Sequence, residues 1–125
     1  MGTTYKGNAA YYRSVGQNIL PTASKYPYRN GRFGENSPST GNKTRTIASD
    51  DPLGTAKDFY DRIAYGGKET VYDGGDRKIT QMADGTIISW RKISSSDGSP
   101  VVEINISRSS HTGGLKKQKI HFVED

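Results

Sequence analysis

From residue 68 onward, apolar and polar residues alternate along the chain with the two-residue period of β-strands. The Asp84-Gly85 pair favours a tight hairpin, and residues 94–100 provide a second short turn. Because short connections join antiparallel neighbours, this part of the chain is expected to form an antiparallel meander. The predicted strands are Lys78–Met82, Thr86–Ile93, Val101–Ser107 and Lys117–Val123.

A helical period precedes the strands, in residues 49–66. The candidate N-caps are Ser49, Asp50 and Asp51. Pro52 suits the first helical turn, and Gly66-Gly67 ends the helix. Apolar residues recur at helical spacing and form one face that is expected to pack on the sheet. They are Leu53, Ala56, Phe59 or Tyr60, and Ile63.

Residues 1–45 are rich in Gly, Asn, Ser, Thr and Tyr and contain few aliphatic residues. Their loop signals predict irregular structure, although the tyrosines argue against full disorder, since disordered segments are poor in aromatic residues. The predicted organisation is an irregular N-terminal segment over residues 1–45 and a domain over residues 46–125. The predicted fold class is α+β, with one main helix packed on a four-stranded antiparallel sheet.

Composition restricts the chemistry that the chain can carry. There is no cysteine, which excludes disulfides and thiolate metal sites, and the two histidines lack the spacing of a zinc motif. We therefore predict no metal and no cofactor. The net charge of +5 favours an anionic partner such as nucleic acid or an acidic protein.

No membrane partner is predicted, because the chain has no long Lys/Arg run and no amphipathic basic helix. No apolar run approaches the ~20 residues of a transmembrane helix. Residues 1–20 also lack the apolar core of a signal peptide. We expect the chain either to stay in the cytoplasm or to be cut from a larger exported protein.

The strand alternation predicts a polar sheet face opposite the helix. A carboxylate, a guanidinium, an ammonium and an imidazole on one surface can cleave RNA without a metal. One side chain removes the 2′-OH proton, a second protonates the leaving oxygen, and the cations stabilise the transition state. Imidazole titrates near neutral pH, which makes His121 the first candidate. The predicted face carries Ser89, Arg91, Glu103, Asn105, Lys119 and His121.

A second group of candidates lies in the run SSHTGGLKK, residues 109–117. His111 is the proposed partner of His121 in proton transfer. Phosphate contacts are assigned to Ser89, Ser109, Thr112, Lys116 and Lys117. The structural alternative is that the charged strand residues form ordinary cross-strand pairs and that the loop is simply exposed.

Three runs of the sequence resemble the C-terminal toxin domains of bacterial polymorphic toxins. They are TRTIASDDPLGTAKDFYDRIAYGG, MADGTIISWRKISSSDGSPVVEINI and HTGGLKKQKIHF, within about residues 45–123. Such domains end large exported proteins used in contact-dependent and type VII inhibition. The order of one helix and then four strands is also similar to the fold shared by barnase, EndoU, tRNA-cleaving colicins and RelE. The resemblance implies a metal-independent ribonuclease with a tight cognate immunity protein.

Barnase-like enzymes place a glutamate, an arginine and a histidine on the concave sheet face. The resemblance assigns these roles to Glu103, Arg91 and His121, although the chain order here is Arg, Glu, His. His111 and His121 with Lys119 are an equal alternative. A likeness of fold does not fix function, so these assignments stay expectations.

The sequence therefore predicts an antibacterial toxin domain that acts as an endoribonuclease on tRNA or other RNA. It is expected to be exported within a larger toxin and delivered to the cytoplasm of target bacteria. An acidic immunity protein would bind it, and a host translation factor is an open requirement. The alternatives are a non-catalytic module that binds nucleic acid or protein, and a metal-dependent deoxyribonuclease.

Overall fold

The computed structural model describes residues 5–8, 11–37, 41–94, 98–106 and 112–125. Short 3-10 turns lie at Lys6–Asn8, Val15–Asn18 and Asp73–Gly75. The helices and strands, in chain order, are α1 (Ile19–Ala23), β1 (Tyr28–Arg29), β2 (Arg32–Phe33), β3 (Glu35–Ser37), β4 (Gly41–Ser49), α2 (Pro52–Ile63), β5 (Lys68–Tyr72), β6 (Arg77–Gln81), β7 (Ile87–Arg91), β8 (Val101–Asn105) and β9 (Gln118–Glu124).

The fold class predicted from the sequence is wrong. The protein contains a seven-stranded mixed sheet in the order β3-β4-β9-β8-β7-β6-β5, and β1 and β2 form a separate two-stranded sheet. Strands β5 to β9 form an antiparallel meander, and β6 to β9 lie close to the four segments read from the alternation. However, β4 pairs in parallel with β9, so the sheet continues beyond the strand that was predicted to be its edge.

The prediction that residues 1–45 are irregular is part of this error. Strand β4 begins at Gly41 and runs across residue 45, and β3 pairs with it. Local pattern missed β4 because its partner β9 comes from the other end of the chain. Asn30-Gly31, within the segment predicted to be irregular, is a hairpin turn. Both residues have the positive φ, 54° and 82°, that suits the two-residue connection between β1 and β2.

Helix α2 follows the predicted helical segment closely. Pro52 is its first residue, and the side chain of Asp51 caps it by accepting a hydrogen bond from the backbone N–H of Gly54 at 3.1 Å. The helix packs against β4, β7, β8 and β9. Within the described part of the chain, no helix combines the length and the apolar character needed to cross a membrane.

The core is built on aromatic rings that join the N-terminal hairpin to the sheet. The ring of Phe59 on α2 lies 5.1 Å from Phe33 of β2 and 5.6 Å from Phe122 of β9, measured between centroids. All three side chains are fully buried, and Trp90 and Ile104 of the meander are buried with them. The N-terminal segment is therefore part of the main core.

Asp58 on α2 binds the same N-terminal segment through polar contacts that are partly exposed to solvent. Its carboxylate accepts a hydrogen bond from Tyr26 and contacts Arg62 Nε at 2.8 Å and Lys25 Nζ at 3.1 Å. Burial opposes ionisation of this carboxyl, but the hydrogen bonds from Tyr26, Arg62 and Lys25 outweigh burial and lower the pKa of Asp58 from 3.8 to about 2.

If the hairpin belongs to the core, Phe33→Ala should lower the free energy of unfolding by ~3–5 kcal/mol, the usual cost of removing a buried aromatic ring. Chemical denaturation measures this value. The control is Leu20→Ala on α1, since Leu20 is 81% exposed and its loss should cost less than about 0.5 kcal/mol. A Phe33→Ala protein as stable as the control would place the hairpin outside the core.

The lowered pKa of Asp58 also predicts an acid dependence of stability. The ionised carboxylate stabilises the fold above its ordinary pKa of 3.8, and this contribution is lost as the pH falls toward about 2. Asp58→Asn should therefore lower the Tm at neutral pH and flatten its fall below about pH 4. Asp50→Asn, at an exposed residue, should keep the parental profile. Equal acid profiles for the parent and Asp58→Asn would contradict the role of Asp58.

Candidate functional site

The sheet face opposite α2, here called the outer face, gathers most of the predicted catalytic residues. The strand registers place Arg77, Arg91, Val101, His121 and Thr46 in one row across β6, β7, β8, β9 and β4. A second row carries Ile79, Ser89, Glu103, Lys119 and Thr44. Residues that face each other in register share a sheet face, so Ser89, Arg91, Glu103, Lys119 and His121 lie together.

His121 differs from the expectation of a displayed side chain. It points away from α2, but it is only 6% exposed, and its Nδ1 lies 2.9 Å from Ser99 Oγ. The reason is that the chain before β8 continues beside β9, where the backbone N–H of Phe122 donates to Pro100 O at 2.9 Å. A substrate can reach the imidazole only through its small exposed fraction.

Glu103 and Lys119 stand directly opposite each other on β8 and β9, and both are half-buried. Opposite charges in this register normally form a cross-strand ion pair. In the described part of the chain, however, neither side chain has an ion-pair partner within 4.0 Å. The carboxylate and the ammonium are therefore available to a third group.

Arg91 is exposed and faces Arg77 directly across β7 and β6. Like charges in this position repel each other. Arg77 is partly compensated, because its guanidinium lies 4.4 Å from the centroid of the Tyr72 ring and its Nε lies 3.6 Å from Asp73 Oδ2. Arg91 has no ion-pair partner among the residues that the structure describes.

A surface cleft of about 460 Å³ contains this arginine pair. Lys92 adds a third cation to its lining, and Asp73 and Asp76 are also part of the lining. Sequence reasoning missed Arg77, Lys92 and Tyr72. The signal was present for Arg77, because a hairpin turning at Asp84-Gly85 brings residue 77 opposite residue 91.

The predicted phosphate-binding residues of the 109–117 run do not come together on this face. Ser109 and His111 lie outside the described residues. Thr112 is 2% exposed, which leaves little surface for RNA. Lys116 and Lys117 are exposed, and the backbone N–H of Lys116 donates to Gly31 O at 3.0 Å, so these lysines lie beside the β1–β2 hairpin.

Within the described ranges, no group of three or more His, Cys, Asp or Glu side chains is placed to hold a metal ion. Comparisons with protein-family models, with curated proteins and with solved structures found no match to this chain. The case for a function therefore depends on the geometry of the outer face.

A double-mutant cycle with Glu103→Gln and Lys119→Gln measures the coupling free energy between these two side chains. We expect a coupling below about 0.5 kcal/mol, because the charged groups do not meet. The reference cycle uses Lys6 and Glu69, whose Nζ and Oε2 lie 3.0 Å apart, and should give ~0.5–3 kcal/mol. A coupling above about 1 kcal/mol for Glu103 and Lys119 would make them a structural ion pair.

Proposed function

We propose that the chain is an antibacterial toxin domain that cleaves RNA on the outer face, with tRNA as the first candidate substrate. The observation that carries the proposal is the grouping of uncompensated cations with two proton-transfer groups. Lys119 and Arg91 have no ion-pair partner in the described part of the chain, and Glu103 and His121 stand on the same face.

Glu103 and His121 occupy diagonal positions on β8 and β9. Diagonal neighbours in an antiparallel pair lie ~7–8 Å apart, which leaves room for a phosphodiester between the two side chains. In the proposed reaction one of them removes the proton of the 2′-OH, whose oxygen then attacks the adjacent phosphorus. The bond to the 5′-oxygen breaks, and the other group gives that oxygen a proton. The products are a 2′,3′-cyclic phosphate and a free 5′-hydroxyl.

The cations supply binding and charge stabilisation. Lys119 lies directly opposite Glu103 and two residues before His121 on β9, where its ammonium can neutralise charge on the phosphoryl oxygens. Arg91 lies two strands from His121, which is about 10 Å at strand spacing. Arg91 and its cross-strand neighbour Arg77 can therefore bind the next phosphate along the RNA. The ring of Tyr72 packs against the guanidinium of Arg77 and places an aromatic side chain next to the Arg77–Arg91 pair.

The burial of His121 favours a second candidate function. An imidazole that is 6% exposed and hydrogen-bonded to Ser99 can serve as a structural residue. The outer face would then bind RNA through Arg77, Arg91 and Lys119 without cleaving it. Affinity in that case comes mainly from phosphate contacts and falls steeply with salt.

A toxic ribonuclease must be neutralised in the cell that makes it. The proposal therefore includes an acidic immunity protein, because charge complementarity with a chain of net charge +5 speeds association. Export within a larger toxin and delivery into the cytoplasm of target bacteria complete the proposal.

The direct test incubates the purified chain with total RNA, purified tRNA and plasmid, each with and without EDTA. We expect RNA cleavage that survives EDTA, with 2′,3′-cyclic phosphate ends. Cleavage of plasmid alone, dependent on Mg²⁺, would indicate a deoxyribonuclease instead. Cleavage of tRNA only in cell extract would show that a host factor is required.

Variants assign the roles. His121→Asn, which keeps a hydrogen-bonding group near Ser99, should lose ~10²–10⁴-fold in cleavage rate if His121 transfers a proton. Arg91→Gln should lose about 10- to 100-fold, less than an enclosed oxyanion donor, because Arg91 is exposed. The charge-matched control is Lys57→Gln on the exposed side of α2, which should keep the parental rate.

Melting curves must accompany these assays, because His121 is buried. Full activity in a folded His121→Asn protein would end the catalytic role of His121. RNA binding without cleavage by the parent, weakened in Arg91→Gln but not in Lys57→Gln, would establish the binding module.

A further inference from the structure

A second basic site lies at the opposite end of the sheet, beside the β1–β2 hairpin. A pocket of about 680 Å³, here called the hairpin pocket, is lined by Arg29, Arg32 and Arg45, and Glu35 is the one acidic residue of the described lining. Its size is that of a small-molecule site. None of its arginines belongs to the cleft formed by Arg77 and Arg91.

The hairpin places two of these arginines against each other. Arg29 and Arg32 are directly opposite in the register of β1 and β2, where like charges are unfavourable. The tight turn at Asn30-Gly31 fixes that register, so the chain cannot relieve the repulsion by slipping. Neither arginine has an ion-pair partner among the described residues.

Arg32 has an unsatisfied hydrogen-bond donor beside the hairpin pocket. Its Nε is buried and has no hydrogen-bond partner within the described structure. A buried guanidinium N–H without an acceptor costs free energy, so the Arg32 side chain gains by turning to meet an anionic oxygen in the hairpin pocket.

Arg45 forms the rigid wall of the hairpin pocket. Its guanidinium is buried and donates to Phe33 O at 3.0 Å, to Gly34 O at 2.6 Å and to the side-chain oxygen of Asn36. These bonds hold the chain between β2 and β3 in place. Burial and the nearby charge of Arg32 lower the pKa of Arg45, while the charge of Glu35 opposes them.

We propose that the hairpin pocket binds a phosphate group, held by Arg32 and Arg29 against the wall that Arg45 forms. Planar guanidinium groups bind phosphate oxygens in pairs, and an anionic phosphate placed among three of them reduces their mutual repulsion. The exposed Lys116 is a further cation near the turn, since its backbone N–H donates to Gly31 O. The phosphate belongs either to a free mononucleotide-sized ligand or to the backbone of a nucleic acid.

The test is a calorimetric titration of the full chain with inorganic phosphate, with adenosine 5′-monophosphate and with a short single-stranded RNA that carries 2′-O-methyl groups and cannot be cleaved. Ionic strength is held constant with sodium chloride. Arg32→Gln and Arg29→Gln are compared with Lys57→Gln, which removes the same charge from an exposed position on α2.

We expect at least one probe to bind the parent and Lys57→Gln alike and to bind Arg32→Gln at least tenfold more weakly. Arg29→Gln, at an exposed residue, repeats the test if Arg32→Gln melts at a lower temperature than the parent. Binding of phosphate or the mononucleotide identifies a free phosphorylated ligand, and binding of the RNA alone identifies backbone phosphates.

Equal affinity in all variants, or no binding of any probe by the parent, would overturn the proposal. The result is independent of RNA cleavage, because the probes are not substrates and Arg91→Gln should leave binding of inorganic phosphate at the hairpin pocket unchanged.

Discussion

The parallel pairing of β4 with β9 is the constraint on which the rest of the structure depends. It joins the N-terminal part of the chain to the last strand and makes β9 an interior strand of the sheet. Ile120 and Phe122 of β9 are fully buried on the α2 side, so a slip of one residue would exchange them with Lys119 and His121. The same packing that stabilises the core therefore decides which charged groups reach the outer face.

The charge distribution follows a second constraint. Two cross-strand arginine pairs, Arg77 with Arg91 and Arg29 with Arg32, stand at opposite ends of the molecule. Each pair weakens the isolated fold slightly through repulsion between like charges, and each lines a cavity. An anion bound between the arginines of either pair would relieve the repulsion that folding creates, and both proposed sites rest on this effect. His121 lies between the two ends, in the same row of the sheet as Arg91.

How far the site was predictable differs from residue to residue. Alternation within β7, β8 and β9 was enough to group Ser89, Glu103 and Lys119, because a strand sends alternate side chains to opposite faces whatever its partners are. The exposure of His121 was not predictable in this way, since it depends on the chain before β8 that runs beside β9. The hairpin pocket could not be predicted for a similar reason, because Arg45 belongs to β4, a strand that the local sequence pattern did not indicate.

The sequence by itself determined the features that arise from short-range geometry. These are the capped helix α2, the Asp84-Gly85 hairpin, the alternation of the last strands and the excess of positive charge. Only the tertiary structure decided that the N-terminal segment supplies β3 and β4 and that β4 runs parallel to β9. The physical reason is that strand pairing forms hydrogen bonds between backbones, which carry no side-chain signature, so a distant partner leaves little trace in either strand.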